Sequence, residues 1–477
     1  MSSVQVTVFL LYFVIVGAIG IIGMRRTKTE ADYFVAGGKL GWALGGASLA
    51  SNQMSAGLYI GTIGMMYSVG WSFGWVVFVF PIAYWVMVAV IAPRFTREKK
   101  VTVPDFIESR YYSQPARVIA AIVILVAFIV YIQAQLVAGG TVANIVFGVP
   151  VRQGMLIMAV VQLLYTVIGG ILADTYSDFV QMMIMVLGAL VAVPMALTHL
   201  GGLDNLFALV SAANPVALSW KGMAPSLIFT MGLAFFLGNL ARPEQLVRFW
   251  AMRNMREIRK AIAFVIILVG TCHVLVFVLA MASRVFFPAI GKGDLAMPVL
   301  SQQGMPLFIG TFLLAAVTAA MMSTVDSLLV TAGSALSHDI FGILRPRASE
   351  AQKLWVGRIG TVVVGVVPLL LLIFGIGGGS VVQIIVALFS AIMGAAFCVP
   401  VVAGVLWKRA TREGAMAAMV GGLAMTFAWK IWGNTARIDP VVPGFLAALV
   451  LMVAVSLITP PPPESAVAPF FGSSESK

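Results

Sequence analysis

The chain reads as thirteen apolar runs joined by short polar stretches. The runs cover approximately 4–24, 41–66, 71–93, 117–146, 153–172, 177–200, 224–241, 260–283, 306–337, 357–376, 379–407, 413–433 and 439–459. A helix crosses a bilayer core with about 20 apolar residues. In lipid the backbone must satisfy its own polar groups, which a helix does. The pattern predicts an all-α polytopic membrane protein with thirteen transmembrane helices. Residues 102–110 have the spacing of a surface amphipathic helix, and 202–220 and 288–305 are the sizeable joints on the other side. The run Pro460 to Pro463, followed by Ser and Glu, predicts a disordered tail over 461–477.

Composition supports this reading. Hydrophobic residues make up 61% of the chain and charged residues 10%, with a mean hydropathy of +1.02. A soluble domain carries about 25% charged residues, so a water-covered surface is excluded, and so is disorder. The net charge of +12 would suggest nucleic-acid binding if the basic residues were clustered on a soluble face. They lie instead in the joints between runs. With the N-terminus outside, 24 of the 30 Lys and Arg fall on the cytoplasmic side, as the positive-inside rule requires. The C-terminus is then cytoplasmic. Cys272 and Cys398 lie inside apolar runs and His199, His273 and His338 are scattered, so no disulfide framework, metal site or catalytic triad is indicated. The first run has no basic segment before it and reads as a span rather than a cleaved signal.

Polar residues inside the runs ask for a reason. The second run contains Ser51-Asn52-Gln53-Met54-Ser55-Ala56-Gly57. Small residues let helices approach closely, but these poor helix formers near mid-membrane also predict a break in the helix. Carbonyls freed there are tolerated only against protein, water or an ion. In the ninth run Ala315, Ala319, Ser323 and Ser327 recur every four residues beside Thr324 and Asp326. Ser323, Asp326 and Ser327 stand at i, i+3 and i+4, so their oxygens converge on one face. A carboxylate at that depth costs at least ~2.5 kcal/mol and takes a partner inside the bundle. With no Lys or Arg expected at comparable depth, a cation or a proton is the economical partner, against plain hydrogen bonding within the bundle. Asp178 opens the sixth run, where the helix dipole accounts for it as well as a ligand does. Gln133, Gln135 and Asn239 point to a polar cavity. Hydroxyls, carbonyls and a carboxylate are hard donors that suit alkali cations.

Several segments now fall into an order. They are Asp32-Tyr33-Phe34-Val35-Ala36-Gly37-Gly38, then Val103-Pro104-Asp105-Phe106-Ile107-Glu108-Ser109-Arg110-Tyr111. Met322-Ser323-Thr324 with His338-Asp339-Ile340-Phe341 follows, and then Gly404-Val405, Arg409, Gly414-Ala415 and Ala418. Over about residues 5 to 460 the chain resembles the sodium/solute symporters, whose members carry proline, pantothenate, monocarboxylates, sialic acid or glucose. The resemblance implies the inverted-repeat fold of the leucine-transporter type. One transporter domain would cover 1–460, with repeats at about 41–200 and 224–407, flanking helices 4–24, 413–433 and 439–459, and breaks in the second and seventh runs.

It also implies a sodium-coupled secondary active symporter that works by alternating access. Sodium is the coupling ion, and its main site maps onto Ser51 and Met54 in the second run and Ala320, Ser323 and Thr324 in the ninth. A second sodium or proton site maps onto Asp178, Ser323, Asp326 and Ser327. Here the chain departs from the family pattern, which often has a neutral residue at Asp326, and proline-type members carry Asp where this chain has Gln53. A proton-coupled carrier using Asp326 is the alternative. Solute contacts are expected from Asn52, Gln53, Ser55, Gln133, Gln135 and Asn239, in a cavity without a fixed cation. Leu58 stands near where sugar carriers place Gln, which disfavours sugars. Arg242-Pro243-Glu244-Gln245 and Arg248-Phe249 look closer to the proline, pantothenate and monocarboxylate group. The expected partners are a small organic solute, sodium ions and the lipid bilayer, with no nucleic acid. The chain is expected to be a monomer in the cell's inner (plasma) membrane and not an enzyme.

Overall fold

The computed structural model of the chain describes residues 3–26, 36–377 and 381–472. Among them it is helical throughout, with no strand and a single isolated bridge between Leu40 and Met252. Asp32 to Val35 of the first motif lie outside the described residues. The α-helices longer than four residues, in order, are α1 Ser3–Arg26, α2 Trp42–Gln53, α3 Ile63–Val69, α4 Val76–Val86, α5 Val103–Tyr111, α6 Gln114–Phe147 and α7 Val151–His199. They continue with α8 Leu203–Ala213, α9 Pro225–Leu240, α10 Pro243–Ala251, α11 Met255–Phe286, α12 Ala296–Gln303 and α13 Leu307–Ser334. The last are α14 Glu350–Ile373, α15 Val382–Ile392, α16 Cys398–Leu406, α17 Arg412–Trp432, α18 Val441–Ile458 and α19 Glu464–Phe471.

Eleven segments among the described residues are long and apolar enough to cross a membrane. The two further runs expected to span, the second and the fifth, do not form such segments. The second is interrupted: α2 stops at Gln53, Met54 leaves helical geometry at φ −80, ψ 50, and a π-helical stretch Gly57–Thr62 leads into α3. The fifth is only Val151–Leu164 by length and apolarity, and it runs into the sixth without the loop expected near residues 173–176. Together they form α7, with 49 residues. At about 1.5 Å per residue, a straight helix of that length would far exceed a bilayer core. It bends at Gly170, with φ 63 and ψ −171, a conformation open in practice only to glycine. Asp178 therefore lies within a helix rather than at its start, and the dipole explanation for it fails.

The second broken segment, between α9 and α10, has a local cause. Pro243 lacks an N–H and crowds the residue before it. Arg242 is accordingly extended, at φ −63 and ψ 114, and Ala241 closes α9.

The centre of the bundle is α13, buried at every residue from Leu313 to Ser334. It packs on α7, α14, α6, α1 and α2. Between helices in lipid the contact comes from close packing rather than from water exclusion. A Cβ on Gly188 would come within 3.0 Å of the Ala316 Cβ, and one on Gly238 within 2.5 Å of the Ser390 carbonyl oxygen. α17 and α18 pair with each other at the periphery.

The tail is not uniformly disordered as expected. Residues Glu464–Phe471 form α19. Phe470 is fully buried with its ring edge on Phe106, and Arg97 donates to the carbonyls of Phe470 and Gly472, both at 2.8 Å. Two aromatic residues and an arginine partner outweigh the proline and serine composition that suggested disorder.

Candidate functional site

Parts of three of the motifs that carry the resemblance, around Glu108 to Tyr111, Asp339 and Gly404, meet at one end of the bundle. Thr102 Oγ1 and Arg117 Nε each donate to Asp339 Oδ1 at 2.7 Å, and Arg117 Nη1 pairs with Glu108 at 2.6 Å. Arg110, fully buried, donates through Nε to the Gly404 carbonyl at 2.6 Å, and Tyr111 OH donates to the Pro400 carbonyl at 2.6 Å. Segments hundreds of residues apart in sequence thus tie α5, α6, the π-helical stretch Ala335–Phe341 that follows α13, and α16 together.

Near the middle of the bundle the end of α2 meets α13. The last carbonyls of a helix have no intrahelical donor, and here α13 supplies hydroxyls. Ser323 Oγ donates to the Ser51 carbonyl at 3.2 Å and lies 3.1 Å from the Ala320 carbonyl. Thr324 Oγ1 reaches the Asn52 carbonyl at 3.2 Å and the Ala320 carbonyl at 3.1 Å. All five residues are buried, and the Ser51 hydroxyl and the Asn52 amide have no hydrogen-bond partner among the described residues. Met54 sits at the break, its N–H bonded to the Ala50 carbonyl, and neither hydroxyl hydrogen-bonds its carbonyl. Hydroxyls and freed carbonyls from two helices are hard oxygen donors of the kind that hold an alkali cation.

The second group expected from the sequence is divided by the structure. Asp178 accepts from Ser48 Oγ and, at 3.3 Å, from Arg248 Nη2. That same Nη2 pairs with Asp174 at 2.9 Å and donates to Ser327 Oγ at 2.5 Å. Asp326 lies apart, its Oδ1 accepting from Gln162 Nε2 at 2.5 Å and from Thr166 Oγ1. Positions i, i+3 and i+4 span roughly a 100° arc of a helix, and three different neighbours meet that arc. Ser323 turns to α2, Ser327 to Asp174 and Arg248, and Asp326 to the half of α7 before Gly170. The expectation that no basic residue lies at this depth is overturned, because Arg248 is buried on α10.

A small polar cavity lies beside both breaks, lined in part by Gln53, Ser55, Leu58, Tyr131, Arg242 and Gln383, with a volume of about 20 Å³. Gln53 Oε1 accepts from Arg242 Nη1 at 3.2 Å and Gln245 Nε2 at 3.1 Å. Ser55 Oγ accepts from Tyr131 OH at 2.9 Å. Of the other expected solute contacts, Asn52 is buried beside the break and Gln135 accepts from the Ala56 N–H at 3.2 Å. Gln133 donates to the Ile376 carbonyl at 3.3 Å, and Asn239 lies 3.7 Å from the Met87 sulfur. Neither of these two lines the cavity. The expectation of a cavity without a fixed cation is wrong: Arg242 faces it.

Sequence reasoning missed Asp174, Gln162, Thr166, Arg242 and Arg248. Asp174 stands four residues before Asp178, a one-face spacing that was available. The two arginines fall in the joint after the apolar run that ends at 241, and so count as loop charges.

A model of the sodium:solute symporter family matches residues 33–422. The osmoregulated proline transporter OpuE of Bacillus subtilis is 30% identical over 478 residues, covering 96% of this chain and 96% of that protein. The high-affinity proline transporter PutP of the same organism is 31% identical, covering 94% and 96%. A solved Na+-coupled sialic acid symporter superposes with a TM-score of 0.82 at 18% identity, over 96% of this chain and 99% of that one. A closed conformation of Mhp1, a nucleobase-cation-symport-1 family transporter, gives 0.59 at 11% identity, over 93% and 99%. These two share the fold.

Proposed function

We propose, since the chain belongs to the sodium:solute symporter family, that it imports an amino acid such as proline, or a similarly small organic solute, together with sodium. The observation that carries this is the pairing of Ser323 and Thr324 with the carbonyls at the broken end of α2. An ion held by Ser51, Met54, Ala320, Ser323 and Thr324 would join two helices, and it would favour the conformation in which they meet. The solute would occupy the cavity next to that ion, against Gln53 and Ser55, and the two would cross together by alternating access. In this reading the chain crosses the plasma membrane thirteen times with its N-terminus outside and its C-terminus in the cytoplasm. It works as a monomer. Its two repeats, at about 41–200 and 224–407, move against each other.

One sodium per cycle is the stoichiometry we favour. The guanidinium of Arg248 lies among Asp174, Asp178 and Ser327, where it supplies the cation that a second sodium would otherwise supply. One charge crossing 100 mV yields about 2.3 kcal/mol. A tenfold sodium gradient adds about 1.4 kcal/mol, enough for an accumulation of several-hundredfold of a neutral solute.

Reconstitution into proteoliposomes with an inward sodium gradient tests this, with labelled proline, pantothenate, pyruvate, lactate and acetate as probes. Sodium-driven accumulation of at least one of them is expected. Equal accumulation driven by a proton gradient in sodium-free buffer would overturn the sodium reading.

A second reading rests on Asp326, whose Oδ2 is buried without a partner among the described residues. Such a carboxylate could carry a proton. If sodium alone drives the cycle, Asp326→Asn leaves the sodium dependence and the pH profile of uptake unchanged. A variant that retains sodium binding but loses its pH-dependent component would assign the proton to Asp326.

A further inference from the structure

The cavity beside the two broken helices has one permanently charged residue in its lining, Arg242. Its side chain is buried, and its hydrogen bonds are incompletely used. Nε pairs with Glu244 at 2.6 Å and Nη1 reaches Gln53 at 3.2 Å, but Nη2 has no partner among the described residues. Buried polar groups are nearly always satisfied, so a guanidinium that lines a cavity with one nitrogen unsatisfied is short of an acceptor that an arriving group can supply. A guanidinium edge presents parallel N–H donors that match a carboxylate better than any other common solute group.

The guanidinium is also held in place. It lies 5.2 Å from the ring centroids of both Tyr131 and Phe389, which stack on each other at 4.3 Å. Glu244 is fully buried and is not part of the cavity wall, so it balances the charge without occupying the place of the solute. A preset donor loses little freedom on binding. A cavity of about 20 Å³ has room for about one water, so the walls open to admit the solute.

We propose that Arg242 anchors a carboxylate of the transported solute, so that the carrier accepts small carboxylic acids, amino acids among them, and discriminates against their amides. This names the solute class of the site described under the proposed function and rests on that reading.

The full chain in proteoliposomes with an inward sodium gradient is given paired probes: proline against prolinamide, and propionate against propionamide. Binding of ²²Na is measured on the same protein. The acids are expected to be driven or to compete, and the amides to do so about tenfold less well or worse. Arg242→Gln is expected to lose transport of the acid while ²²Na binding persists. Arg242→Lys retains the charge without the fork and raises the half-saturating acid concentration by about tenfold. If Arg242→Gln fails to fold because Glu244 is left unpaired, Arg242→Gln/Glu244→Gln removes both charges and the comparison is made there. Amides driven as well as acids, or acid transport unchanged in a folded Arg242 variant, overturns the carboxylate anchor and leaves sodium symport standing. Absence of ²²Na binding by the wild-type chain overturns the sodium reading itself, and the anchor with it.

Discussion

Ser323→Ala/Thr324→Ala is expected to abolish sodium-driven uptake while the protein remains folded. Each hydroxyl reaches carbonyls at the end of α2 and on α13, and each would give one oxygen to the ion. A polar contact to a charged group contributes about 1.5–3 kcal/mol, so losing one raises the half-saturating sodium concentration by about tenfold or more. Losing both takes it out of the physiological range. The fold should tolerate the change, because alanine is small and α13 already has Ala315, Ala316, Ala319 and Ala320 facing its neighbours. Thr324→Ser keeps the oxygen and should stay close to wild type. The measurements are ²²Na binding and the sodium dependence of uptake, with thermal unfolding as the control for folding. A single Thr324→Ala variant with an unshifted sodium dependence would remove the main site from where we place it.

Arg248→Gln is expected to cost the protein about 3–5 kcal/mol, because removing one partner of a buried ionic group leaves uncompensated charge behind. The group is Arg248 with Asp174 and Asp178, all within a few per cent of full burial. Its guanidinium also donates to Ser48, Ser327 and the Glu244 carbonyl, so one side chain joins α2, α7, α10 and α13. Thermal unfolding in detergent should show a large drop in Tm, with low recovery of folded protein. Adding Asp174→Asn and Asp178→Asn to Arg248→Gln removes the stranded charges and should restore most of the loss. Arg248→Gln with an unchanged Tm would mean that the network carries no stability. Failure of the triple variant to recover would mean that shape rather than charge is what Arg248 supplies.

Part of this was legible along the chain. The break after Gln53 is written in a run of small and amide side chains that a helix in lipid has no use for. Pro243 marks the second interruption. The meeting of Ser323 and Thr324 with the end of α2 was implied by the family resemblance, while the residues alone showed only a break on one span and hydroxyls on another. Asp326 stood out as a charge without an evident partner, and it sits buried with one oxygen unpartnered among the described residues.

The errors have a common origin. Counting Arg242 and Arg248 as loop charges treated the second break as the end of the membrane segment. In fact α10 turns back into the bundle and buries both side chains. Asp178 was assigned to the start of a helix because α7 was cut in two near residues 173–176, whereas the bend lies at Gly170. Grouping Ser323, Asp326 and Ser327 assumed that one helix face meets one neighbour, and here it meets three.

What the sequence determined by itself was the solvent, the helical class and the depth of the polar exceptions. Apolar length and scarcity of charge are properties of single segments, and lipid permits such segments one regular backbone. The tertiary structure decided which exceptions pair. Arg248 answers Asp174 and Asp178, Arg242 answers Glu244 and leaves one nitrogen without a partner among the described residues, and Asp326 turns away from both. A charge buried in lipid is governed by the nearest opposite charge or donor across a helix interface. That distance depends on where α7 bends and where α10 re-enters, and neither is encoded in the local pattern of any one segment.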